Sequence, residues 1–94
     1  MRKYELMMIL PPDSDEARVG TVVDRVTQAL GDRGEVGNID RWGKRRLASQ
    51  IAQHTDGYYV LVELKAEPDS IGELQRTLTL ADDVVRFKVV VRAA

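Results

Sequence analysis

From Lys3 to Leu10 the side chains alternate with a period of two: Tyr4, Leu6, Met8 and Leu10 point one way, Lys3, Glu5, Met7 and Ile9 the other. That period is a β-strand's, and apolar residues in both phases predict a strand central in its sheet. Pro11-Pro12 ends it. Asp13 and Glu16 then have the spacing of a capping box. Val19, Val22, Val23, Val26, Ala29 and Leu30 follow as one stripe of an α-helix, which Gly31 and Gly34 close. Glu35 to Trp42 reads as a second strand, continuing irregularly towards Ala52. Asp56-Gly57 has the composition of a turn. Tyr58, Val60, Val62, Leu64 and Ala66 then alternate with Tyr59, Leu61, Glu63 and Lys65 as a third strand. Glu67-Pro68 opens a second helix, proline at its first position, with Ile71, Leu74, Leu78 and Ala81 as the buried stripe and Asp82-Asp83 at its close. Val84 to Arg92 makes a fourth strand, with Val85, Phe87, Val89 and Val91 inward and Arg86, Lys88, Val90 and Arg92 outward.

The order β-α-β-β-α-β, with one apolar stripe per helix, is best served by two layers. Both helices cover one face of a four-stranded antiparallel sheet, a ferredoxin-like α+β sandwich formed by one domain over residues 1–94. The second sheet face stays open, and function is expected there.

Charge sharpens that expectation. The net charge is only -1, yet the segment Arg41-Trp42-Gly43-Lys44-Arg45-Arg46-Leu47-Ala48 has four cations, no acid and the single tryptophan. Arginine and lysine beside an aromatic ring suit an anionic backbone with stackable bases. The helical segments are acidic, through Asp13, Asp15, Glu16, Asp24, Glu67, Asp69, Glu73, Asp82 and Asp83. The strands contribute Arg2, Lys3, Arg41, Lys44, Arg45, Arg46, Lys65, Arg86, Lys88 and Arg92. A chain with balanced charge is thus expected to be polarised, and such a dipole orients a protein on a polyanion. Met7, Ile9, Tyr59, Leu61 and Val90 should lie on the same face, and an apolar patch there fits a protein partner. The expected RNA contacts are Arg2, Lys3, Arg41, Lys44, Arg45, Arg46, Arg86 and Lys88, with Trp42 packing or stacking. Met7, Ile9, Tyr59 and Leu61 are the expected partner contacts. A protein-only module that self-associates through the open face is the alternative.

The composition, 44% hydrophobic and 31% charged, is that of one ordinary globular domain. Without cysteine there are no disulfides or thiolate metal sites, which fits a reducing compartment. No apolar run is long enough for a membrane span, and Met1-Arg2-Lys3 leads into too short a run for a signal peptide, so a cytoplasmic protein is expected. Enzyme chemistry is poorly served. The lone His54 lacks a histidine or cysteine companion, and Gly31-Asp32-Arg33-Gly34 lacks the spacing of a phosphate-binding loop. No metal, cofactor or small-molecule substrate is expected.

Several stretches together carry a family likeness: Met1-Arg2-Lys3-Tyr4-Glu5, Trp42-Gly43-Lys44-Arg45-Arg46-Leu47-Ala48, Gly57-Tyr58-Tyr59 and Val84-Val85-Arg86-Phe87-Lys88-Val89. On these the chain resembles, over nearly its whole length, the family of bacterial small-subunit ribosomal protein six. The resemblance implies a ferredoxin-like fold without catalytic activity. It also implies ribosomal localisation, binding to the central domain of 16S rRNA, and a heterodimer with small-subunit ribosomal protein eighteen. Motif by motif it points to Gly43 to Ala48, to Arg2 to Tyr4 and to Arg86. Ser49 departs from the pattern, standing where the family commonly has an aromatic. The chain ends at Ala94 without the acidic tail of some members, so nothing tail-dependent is carried over.

Overall fold

The computed structural model describes the backbone of residues 1–48 and 54–92, and their side chains apart from those of 46–48, 54 and 55. Its elements are β1 (Arg2–Leu10), α1 (Glu16–Leu30), β2 (Gly34–Ala48), β3 (His54–Ala66), α2 (Pro68–Leu80) and β4 (Arg86–Val91), with a short 3-10 turn at Gly31–Arg33. The strands form one antiparallel sheet in the order β2-β3-β1-β4, so the two strands richest in apolar residues are central. This is the two-layer ferredoxin-like arrangement that the alternation predicts.

The core lies between the sheet and the helices. Tyr4, Leu6, Met8 and Leu10 of β1 and Val60, Val62, Leu64 and Ala66 of β3 meet Val19, Val22, Val26 and Leu30 of α1 and Leu74 and Leu78 of α2. Each fully buried valine, leucine or methionine contributes about 1.5–3 kcal/mol to holding the layers together. β4 contributes less than the sequence pattern suggests. Phe87 and Val89 pack against the core, whereas Val85 and Val91 stay exposed. As an edge strand, β4 meets only the margin of the helical layer.

Helix boundaries shift where local hydrogen bonds compete. The Ser14 N–H donates to the Pro11 carbonyl at 3.0 Å, a turn that uses the residues just after the prolines. The N-cap of α1 is therefore Asp15 rather than Asp13, its carboxylate accepting from the Arg18 N–H at 3.0 Å. At the far end Gly31 takes a positive φ of 55°, which glycine reaches at least cost. α2 begins at Pro68, as expected, and its buried Ser70 donates its hydroxyl to the Glu67 carbonyl at 2.7 Å. Arg25 of α1 bonds Asp83, tying the first helix to the connection between α2 and β4.

The second hairpin differs most from expectation. Asp56 and Gly57 are paired strand residues opposite Arg46 and Arg45, not a turn. Gly57 is buried, and a Cβ there would lie 2.3 Å from Cγ2 of Ile9 and 3.1 Å from the Leu10 carbonyl. The glycine thus serves close packing within a strand. β1 stops pairing at Leu10 opposite Tyr58, so residues 45–48 and 54–57 continue as a two-stranded arm.

Two exposed helical glycines carry a simple stability prediction. Gly20 in α1 and Gly72 in α2 have no atom within 4 Å of an added Cβ. Alanine at either site is expected to raise the unfolding free energy by about 0.5–1 kcal/mol. In urea melts the two gains should add, because no partner is shared.

Candidate nucleic-acid interface

The outer face of the sheet can be read in rows across the strands. Gly43, Tyr59, Ile9 and Arg86 form one row, and Asp40, Leu61, Met7 and Lys88 the next. Apolar side chains thus occupy the central strands β3 and β1, with cations along the β4 edge. The following rows are mixed in charge: Glu63 opposite Glu5, then Glu35, Lys65 and Lys3. Arg92 closes on Glu63 with Nη1 to Oε1 at 2.6 Å. The sheet side is therefore less purely basic than the sequence tally suggests, because Glu5, Glu35, Asp40 and Glu63 share it. Among the described residues, positive charge without a facing acid is concentrated at the end of the sheet where Arg86, Lys88 and the arm lie, while Arg2, Lys3 and Lys65 at the other end also form no ion pair. Among the described residues, Arg86, Lys88, Lys44 and Arg45 form no ion pair.

The basic segment is divided by the geometry of β2. The register shifts between Val36 and Ile39 and again between Arg41 and Gly43, two irregularities that also make this edge a poor template for another strand. Arg41 pairs with Val60, on the helix-covered side, and its Nε meets Oε2 of Glu16 at 2.8 Å. A contact over 25 positions with the first residue of α1 has no local signal in the sequence. Arg41 is thereby engaged within the fold. Lys44 pairs with Tyr58 and Arg45 with Gly57, so the two cations lie on opposite sides of the arm. The side chain of Arg46 lies outside the described residues, as does the whole of Ser49.

Trp42 is the additional residue at the second shift, and Gly43 beside it has φ of 80°. The indole N–H donates to Oδ2 of Asp40 at 3.2 Å. The Arg45 guanidinium carbon lies 5.3 Å from the ring centroid, and Arg45 Nε donates to the Trp42 carbonyl at 3.3 Å. The sequence signals Asp40 only through its spacing of two from Trp42. Arg2 pairs with Ala66 and so alternates away from Lys3, leaving these two on opposite faces of the sheet.

The apolar candidates do come together, with one change in character. Met7, Ile9 and Leu61 are half-buried on the outer face, but Tyr59 is only 3% exposed and lies outside the main core cluster. It forms a floor at the foot of the arm rather than an exposed contact. Among the described residues no group of three or more His, Cys, Asp or Glu gathers in a metal-binding arrangement. Nor is any described helix long and apolar enough to cross a membrane.

Comparison with known proteins gives a consistent answer. A family model described as ribosomal protein S6 matches residues 3–91. The small ribosomal subunit protein bS6 of Moorella thermoacetica is 40% identical over 90 residues, covering 95% of this chain and 92% of the relative. The bS6 protein of Mycolicibacterium paratuberculosis is 46% identical over 90 residues, covering 95% and 94%. In three dimensions the chain resembles the crystal structure of 30S ribosomal protein S6 from Thermotoga maritima, with a TM-score of 0.78 and 25% identity over 97% of this chain and 87% of that one. A likeness this long and continuous, in sequence and in topology alike, makes the chain a member of the ribosomal protein S6 family.

Proposed function

We propose that this chain binds 16S rRNA in the central domain of the small subunit while holding small-subunit ribosomal protein eighteen on its sheet. As a member of the S6 family it is a structural component of the cytoplasmic ribosome and not an enzyme. The observation that carries the finer reading is the pair of cross-sheet rows. Ile9 and Met7 lie between the β4 cations Arg86 and Lys88 and the apolar ring of Tyr59 and side chain of Leu61. Apolar surface at the centre suits a folded protein partner, and unpaired arginine and lysine at its rim suit phosphates. In this reading Lys44, Arg45, Arg46, Arg86 and Lys88 contact the RNA backbone, helped at the sheet's far end by Arg2 and Lys3. Met7, Ile9 and Leu61 meet the protein partner over the Tyr59 floor. Arg41 and Trp42 act within the fold.

Backbone recognition of this kind is strongly dependent on salt and only weakly on sequence. With about four of these cations engaged at once, log affinity for the rRNA should fall against log salt with a slope of roughly -3 to -3.5. Titration of the protein, with and without ribosomal protein eighteen, onto an rRNA transcript at several salt concentrations measures it. A flat response overturns the polyanion reading. Self-association in gel filtration without RNA binding supports the protein-only module instead.

A further inference from the structure

Phase along β2 decides which face each cation reaches, and the shift between Arg41 and Gly43 reverses it. Arg41 pairs with Val60 on the helix side, yet Gly43 pairs with Tyr59 and Arg45 with Gly57 on the outer side. In an unbroken strand Arg41, Gly43 and Arg45 would share one face, because side chains alternate with period two. One additional residue, Trp42, therefore carries Arg45 onto the outer face. The positive φ of Gly43 is what the backbone needs to make that step.

Trp42 is itself held at this point, its indole N–H bonded to Asp40. Arg45 folds back over the ring and donates Nε to the Trp42 carbonyl. Among the described residues that is the one hydrogen bond Arg45 makes, so both of its Nη groups keep their donors. Asp40, which accepts from the indole N–H, forms no ion pair with Arg45. The guanidinium is thus restrained without being neutralised.

We propose that Trp42 is a positioning residue, which pre-organises Arg45 for an RNA phosphate and is not itself a stacking platform for a base. This rests on the rRNA-binding reading above. A guanidinium held over an indole has less rotamer freedom to lose on binding, and Arg keeps its forked donors for a phosphate. The expected contribution is about three- to tenfold in affinity.

A double-mutant cycle on particles reconstituted from rRNA and small-subunit proteins lacking this chain tests it. Trp42→Leu, which keeps bulk but removes the ring, should weaken binding about three- to tenfold. Its salt slope should stay unchanged, since every cation remains. Arg45→Ala should weaken binding at least as much and flatten the slope by about 0.7–0.9. The double variant should bind within about twofold of Arg45→Ala alone, and Trp42→Phe should recover most of the loss. Effects of Trp42→Leu and Arg45→Ala that multiply would overturn the proposal, because Trp42 would then act on its own. So would a Trp42→Leu protein that binds normally, or an Arg45→Ala protein that does while the parent chain binds. Failure of the parent chain to bind rRNA-containing particles removes the rRNA reading first, and the proposal with it.

Discussion

Gly57→Ala is expected to lower the unfolding free energy by about 2–3 kcal/mol, the upper range for forcing a methyl group into a packed interior. The added Cβ would lie 2.3 Å from Cγ2 of Ile9 and 3.1 Å from the Leu10 carbonyl. Neither obstacle moves easily. Cγ2 is attached at the β-carbon of a β-branched residue in the central strand, and the carbonyl belongs to the backbone. For a domain this small the loss corresponds to a fall in Tm of about 10–20 °C. The strain has an identifiable source, so Ile9→Ala should partly relieve it. Urea melts of the double variant should then show a smaller loss than the sum of the single variants. A Gly57→Ala protein as stable as the parent would mean that β3 and β1 do not approach this closely at the foot of the arm.

The second large effect concerns binding. Arg45→Ala combined with Arg46→Ala is expected to weaken rRNA association by about ten- to a hundredfold, as loss of two solvent-exposed contacts worth about 0.7–1.4 kcal/mol each implies. Thermal stability should change little, because Arg45 is exposed and, among the described residues, bonded only to Trp42 three residues back. Arg41→Ala is the informative contrast. Its guanidinium is engaged with Glu16, so its removal should leave rRNA affinity near that of the parent. The stability change should stay within about 0.2–1 kcal/mol, as for exposed ion pairs. Unfolding of the Arg45 and Arg46 double variant would assign that pair to structure, and strong loss of binding in Arg41→Ala would return Arg41 to the interface.

Much of this molecule is legible along the chain because its determinants are local. Period two over Tyr4 to Leu10 and Tyr58 to Ala66 identifies two strands, and apolar residues in both phases of the first place it at the centre of the sheet. The valine stripe from Val19 to Leu30 identifies the first helix. Pro68 marks the start of the second helix because proline lacks only a donor that the first turn leaves unused. The basic segment and the apolar residues of the outer face are equally plain. Where sequence reading failed, a short-range rule met a competing contact. Asp13 lost the cap to Asp15 because the Ser14 N–H closes a turn on Pro11. Asp56-Gly57 has turn composition, but its glycine makes room for Ile9.

Composition and alternation alone determined the two-layer class, the central place of the first strand and the concentration of cations outside the helices. Tertiary structure decided which of those cations remain available. Strand register matched Gly43 with Tyr59 across an irregular step, Arg41 came within reach of Glu16 from a distant helix, and Tyr59 sank into a floor. The physical reason is range. Propensity and periodicity act between near neighbours, whereas pairing phase and ion-pair partners are set when segments far apart in sequence are brought into contact.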